Sequence, residues 1–143
     1  MKGAYFLVLY ILNDIETSIG KLGIIYFKKG FYIYIGSAMA AYGSTTLENR
    51  IKRHISPSKN KKVHWHIDYL INSESSTVIQ LYLIPSSQRL ECIIVKELIN
   101  KSDSYIGNFG SSDCLCQSHL LFFREWKGIN SLSRFYKEKN YKS

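Results

Sequence analysis

Cysteine, proline and acidic residues are scarce in this 143-residue chain: three, two and eleven respectively. Three cysteines are an odd number and too few for a disulfide framework, which excludes the stapled, secreted class of small domain and favours a reducing compartment. With 45% hydrophobic and 21% charged residues, the body of the chain is not a disordered segment. Internal repeats and low-complexity tracts are missing, which excludes repeat arrays. The apolar run from Ala4 to Leu12 follows Lys2 and is stopped by Asn13-Asp14. It is too short to span a bilayer and lacks a small-residue cleavage site, so it reads as a buried strand, and a cytoplasmic protein without membrane attachment is expected.

Acidic residues are outnumbered by 19 lysines and arginines, for a net charge of +8, and the excess is localised. Arg50, Lys52, Arg53, Lys59, Lys61 and Lys62 place +6 between positions 50 and 62, residues 124–142 carry +4, and the remainder nets −2. Segregated positive charge suits a polyanion, because each phosphate neutralised releases counterions. Taken alone, a charge run reads first as a solvated face. The length fits one domain with a core of its own, placed at residues 1–123, followed by a basic C-terminal tail at 124–143 that is either a docked helix or a loose arm.

Hydrophobic patterning gives an α/β (α+β) domain with a small, mostly antiparallel central sheet flanked by helices. Residues 3–12 form a central strand, Ile19 to Phe27 a second, and Lys28-Lys29-Gly30 turns into a third at 31–36. Thr45-Thr46-Leu47-Glu48 has a capping-box pattern, with the Thr45 hydroxyl and the Glu48 carboxylate satisfying first-turn donors of a helix that carries Leu47, Ile51 and Ile55 on one stripe. VHWHIDYLIN is a second helix and TVIQLYL (77–83) a further strand. Pro85-Ser86-Ser87 marks a helix start near Ser87, with Leu90, Ile94 and Leu98 buried. Gly107 to Ser112 is a glycine-rich loop, and LLFF at 120–123 a last short strand.

The stretch FYIYIGSAMAAYGSTTLENRIKRH, from Phe31 to His54, organises the rest. A strand alternating Tyr32 and Tyr34 against Ile33 and Ile35 breaks at Gly36-Ser37 and leads into a basic helix, where Arg50 and His54 stand one turn apart. Tyr34-Ile35-Gly36-Ser37-Ala38, the helix LENRIKRH and an earlier Gly3-Ala4-Tyr5 together resemble the two signatures of the GIY-YIG nuclease superfamily. HWHIDYL and the late string GNFGSSDCLCQSHL resemble a prokaryotic branch of it that is kept as a domain of unknown function. The resemblance covers residues 2–123. It departs from the usual pattern in one respect: 28 residues separate Tyr5 from Tyr34 where members have about a dozen. The extra length implies an inserted ribbon, and the role of Tyr5 requires that the two tyrosines still meet.

The resemblance implies a metal-dependent endonuclease that hydrolyses phosphodiester bonds in DNA, structured or branched DNA included, with RNA also open. Its catalytic face is expected from the tyrosine strands, the Arg50 helix and the Glu91 helix. Glu91 matches the single protein ligand to one Mg²⁺ or Mn²⁺, a hard ion that keeps most of its waters; a glutamate in a first helical turn is also favoured by the helix dipole alone. Tyr5 and Tyr34 match the phenols that activate water, one as general base and the other positioning water or phosphate. A phenol needs a neighbouring cation for that task, and Arg50 is placed to supply it or to pin the phosphate. His54 matches a group assisting proton transfer or contacting phosphate, and is equally explained as an imidazolium near a helix C-terminus. Gly36, Ser37, Arg53, Lys59, Lys61, Lys62, His64 and Asn108 are the nucleic-acid contacts implied, with His66 and Asn100 as rivals to His64 and Asn108. Sequence choice is left to DNA shape or a protein partner.

A different class, a non-catalytic nucleic-acid-binding module on the same scaffold, fits the same residues. Cys114, Cys116 and His119, with Cys92 or a histidine as fourth ligand, invite zinc. The Cys-x-Cys spacing and the lack of a second pair argue against it and favour a dense turn with cysteine as a small hydrophobe.

Overall fold

The structure is a computed structural model that describes residues 2–40, 46–55, 66–111 and 114–126, without the side chains of residues 54 and 55. In chain order the elements are β1 (Gly3–Ile11), β2 (Ile15–Ser18), β3 (Ile24–Phe27), β4 (Gly30–Ala38), α1 (Leu47–Ile55), α2 (His66–Ile71), β5 (Ser76–Pro85), α3 (Glu91–Ile99), β6 (Ser104–Tyr105) and β7 (Leu120–Phe123). Five strands form one antiparallel sheet in the order β5-β1-β4-β7-β6. The α+β architecture is the expected one. β1 is hydrogen-bonded on both edges, to β4 and β5, and covered on both faces, which is why its sequence is apolar without alternation.

Strand parity sorts the core into two layers. Tyr5, Leu7, Leu9 and Ile11 of β1 join Tyr32 and Tyr34 of β4 on the face covered by Leu47 and Ile51 of α1 and Ile67 and Leu70 of α2. Ala4, Phe6 and Val8 join Ile33 and Ile35 on the opposite face, under Ile94, Val95 and Leu98 of α3. The helices thus lie on both sides of the sheet.

The extra residues between the tyrosines fold into a separate two-stranded ribbon of β2 and β3. The single strand expected over Ile19 to Phe27 is broken by a 3-10 turn at Gly20–Leu22, with Gly20 at φ 49° and Gly23 at φ 81°, values a β-strand does not hold. The chain then returns along β1, from Ile11 opposite Gly30 to Gly3 opposite Ala38. The insertion therefore leaves the tyrosines together, with ring centroids 6.2 Å apart.

Two helix starts move, and one strand is added, for local reasons. The cap of α1 comes from Thr46, whose hydroxyl oxygen accepts the Asn49 N–H at 3.2 Å, one residue later than the expected pairing through Thr45, which lies outside the described residues. α3 begins at Glu91 rather than near Ser87, because Ser86 turns locally to accept the Gln88 N–H at 3.0 Å and Leu90 is the N-cap. β6 is exposed and two residues long, too short and polar to carry a strand signal; it exists by pairing with Leu121 and Phe122. Trp126 docks the start of the basic segment, its indole N–H donating to Gln80 Oε1 at 2.8 Å and its ring packing on Phe123. Residues 127–143 lie outside the described residues.

Candidate active site

The candidate residues gather where β4 ends, at Gly36-Ser37-Ala38. Gly36 faces the α1 side and leaves room for the ring of Tyr5: a Cβ at this position would lie 2.5 Å from the Tyr5 Cζ and hydroxyl oxygen. Glycine is needed here for close approach, not for backbone freedom. Ser37, the next residue, is buried and connects the two sides of the sheet. Its carbonyl accepts from Arg50 Nη1, and its hydroxyl donates to Glu91 Oε1.

Around that serine the carboxylate of Glu91 is held by further groups. Arg89 Nη1 lies 3.1 Å from Glu91 Oε1 and 3.4 Å from Ser37 Oγ, and His119 Nδ1 lies 3.6 Å from Glu91 Oε2. The Glu91 side chain keeps 17% exposure while Arg89 is 68% exposed. α3 packs on the face opposite α1, contrary to the shared catalytic face that the resemblance implied for Glu91 and the tyrosines. Because α3 starts at Glu91, its first residue instead reaches the end of β4 and approaches the tyrosine side there. Arg50 and Glu91 consequently meet on one residue, Ser37.

The electrostatics differ from the sequence expectation in an instructive way. Burial, then the Tyr34 phenol, push the Tyr5 phenol well above its ordinary value; Arg50 pulls it down, and Glu91 and Asp68 push it up. The acidifying cation is in place, but desolvation of a nearly inaccessible phenolate outweighs it.

The family model described as "Domain of unknown function DUF123" matches residues 4–141. The chain belongs to this family. Nothing among curated proteins or solved structures matches it. For this DUF123 chain, fold and site therefore rest on its own residues.

Several residues expected to contact nucleic acid have structural partners. Arg53 Nη2 pairs at 3.1 Å with the fully buried Asp68 of α2, tying α2 to α1. His66 opens α2, accepts the Gly110 N–H on Nδ1 at 2.9 Å and packs edge-on against Phe109; burial lowers its basicity, which suits a neutral acceptor. Asn108 has φ 62°, a turn geometry asparagine tolerates, and an exposed side chain; the following residue, Phe109, packs against Tyr34. Asn100, its rival, is the C-cap of α3. Lys59, Lys61, Lys62 and His64 lie outside the described residues, and His54 is in the last turn of α1 with its side chain likewise outside them.

Asp68, Arg89 and His119 were not singled out as members of this site by their sequence. Asp68 had one usable signal, an acid inside the apolar run HIDYLI. His119 brings a second group of ligands. Cys92, Cys114, Cys116 and His119 offer one donor atom each, all within 4.8 Å of one another. Burial and the neighbouring thiols push the Cys92 thiol well up, and burial also raises Cys116. Glu91 with Ser37 offers hard oxygen, and the cysteines offer soft sulfur, so the two places suit different metals. Among the described residues no helix is long and apolar enough to cross a membrane.

Proposed function

We propose that this chain is a GIY-YIG-type, metal-dependent endonuclease that hydrolyses phosphodiester bonds in DNA. The observation that carries the reading is the meeting of Arg50 and Glu91 on Ser37, beside the packed pair Tyr5 and Tyr34. The motif residues of the superfamily are far apart in sequence, and chance packing does not require a guanidinium, a carboxylate and two phenols to share one strand end.

In this reading each group has a task that its surroundings support. Glu91, a partly exposed carboxylate beside a serine hydroxyl, suits Mg²⁺ or Mn²⁺ through hard oxygen. When bound, that ion supplies Lewis-acid stabilisation of the scissile phosphate. Arg50 offsets the negative charge that builds on the phosphorus oxygens, with its orientation set by the Ser37 carbonyl. Tyr5 keeps its proton at neutral pH and so acts as a donor that positions water or a phosphate oxygen. That leaves Tyr34, the other phenol of the pair, as the base in this reading, a role in which it first releases its own proton to solvent and then, as phenolate, takes one from the attacking water. Arg89, exposed and already beside Glu91, adds a cation that sequence reasoning did not supply. The basic segment 50–62 and the tail provide backbone attraction without reading bases.

The test is cleavage of duplex, nicked and branched DNA, with an RNA arm, in the presence of Mg²⁺ or Mn²⁺. Wild type is expected to give product only with the divalent ion, and Glu91→Gln to give none. Equal yields from wild type and Glu91→Gln would remove the enzyme assignment. Binding that falls steeply with salt, with no product under any condition, would instead identify the non-catalytic binding module.

A further inference from the structure

We propose that Cys92, Cys114, Cys116 and His119 form a structural zinc site that clamps the loop before β7 onto the first turn of α3. Cys-x-Cys spacing spoke against zinc; proximity in three dimensions speaks for it. The fourth ligand is contributed from more than twenty residues upstream, so the local spacing does not decide between Cys92 and a histidine.

The geometry fits a tetrahedral ion. Zinc–sulfur bonds of about 2.3 Å and zinc–nitrogen bonds of about 2.0–2.1 Å put neighbouring donor atoms roughly 3.5–3.8 Å apart. Here Cys114 Sγ lies 3.4 Å and Cys92 Sγ 3.9 Å from His119 Nε2. All four donors fall within 4.8 Å of one another, so small side-chain adjustments close the shell. None of the three cysteines is in a disulfide.

The surroundings of His119 support the same conclusion. Its ring is buried, Nδ1 faces the Glu91 carboxylate at 3.6 Å, and Nε2 faces the sulfurs. A proton on Nδ1 leaves the Nε2 lone pair for a metal, the arrangement by which carboxylates orient ligating histidines. Three thiolates and a neutral imidazole are soft donors that select zinc over Mg²⁺ or Mn²⁺. Four protein ligands fill the tetrahedron and leave no position for substrate, which makes the site structural. Binding replaces three thiol protons by Zn²⁺ and releases them to solvent.

The clamp also gives a reason why, in a connection with little regular structure, Phe109, Ser118 and His119 are buried. Packing a thiol as a small hydrophobe does not call for three of them to gather beside one buried imidazole.

The inference stands apart from the nuclease reading, because zinc content is measured without any cleavage assay. Protein purified without chelator from zinc-supplemented medium is expected to contain about one zinc per chain. X-ray absorption at the zinc edge should then give three sulfurs and one nitrogen. Cys116→Ser should lose at least about ten-fold in zinc affinity, whereas Leu115→Ala, at a fully exposed position in the same loop, should keep wild-type content. If Cys116→Ser fails to fold, the wild-type absorption spectrum still decides. Folded wild type that stays free of zinc after incubation with the ion overturns the proposal, as does a shell of oxygen and nitrogen only, or iron in place of zinc.

Discussion

Gly36→Ala is the substitution that most directly probes how the strand end is built. The added Cβ would sit 2.5 Å from Cζ and the hydroxyl oxygen and 2.9 Å from Cε1 of Tyr5, where carbon atoms normally approach to about 3.5–4.0 Å. The ring must therefore move by about 1 Å. It has little room, being 1% exposed and packed against Tyr34, and close-packed interiors yield by only a fraction of that. Overpacking of this kind costs about 1–3 kcal/mol. Alanine recovers about 0.5–1 kcal/mol through its lower unfolded-state entropy, so the net loss should be about 1–2 kcal/mol. For a chain of this size that corresponds to a melting point lower by about 3–8 °C. Urea unfolding of wild type, Gly36→Ala, Tyr5→Ala and the double variant measures it. Once the Tyr5 ring is gone the alanine at 36 should be neutral or slightly stabilising, for a coupling of at least about 1 kcal/mol. Additive effects would refute the claim that Gly36 is glycine because of Tyr5.

Other outcomes follow from single contacts. Thr46→Ala removes the acceptor of the Asn49 N–H at the start of α1 and should cost about 1 kcal/mol in urea unfolding, with Thr46→Ser restoring most of it. The Tyr5 phenol is held above its ordinary value by burial, so the native state keeps a proton that the unfolded chain releases. Its contribution is fully present below pH of about 10 and is lost as pH rises from there through the folded-state value, at a limiting slope of about 1.4 kcal/mol per pH unit. Tyr5→Phe should therefore lose stability less steeply than wild type between neutral and strongly alkaline pH; identical slopes would contradict the burial argument. If the carboxylate of Glu91 acts through charge and not through the fold, Glu91→Gln should abolish cleavage while the protein still unfolds cooperatively; a variant that is unfolded would not support that role.

Much of this architecture was legible in one dimension. The unbroken apolar run of β1 indicated a strand covered on both faces, and 120–123 was readable as a short strand from its composition. The break after Tyr34-Ile35-Gly36 and the basic helix after it carried the motif. The surplus between the tyrosines indicated an added ribbon, and the β2-β3 ribbon is that insertion. These features are local, or follow from side-chain periodicity, and periodicity is a property of order along the chain.

What only the fold decided is how distant side chains use one another. Sequence placed Glu91 and the tyrosines on one face; strand parity puts α3 on the other, and the two sides meet at Ser37 because β4 ends where α3 begins. Arg53 had the look of a free cation, yet Asp68 of α2 pairs with it. Arg50 was expected to acidify a phenol, and burial outweighs it. Cys92 was one of two kinds of fourth ligand open beside Cys114, Cys116 and His119, and only the docking of α3 brings it to them. In each instance the deciding quantity was a distance across the sheet or the loss of water around a group, and neither is written in the spacing of residues along a chain.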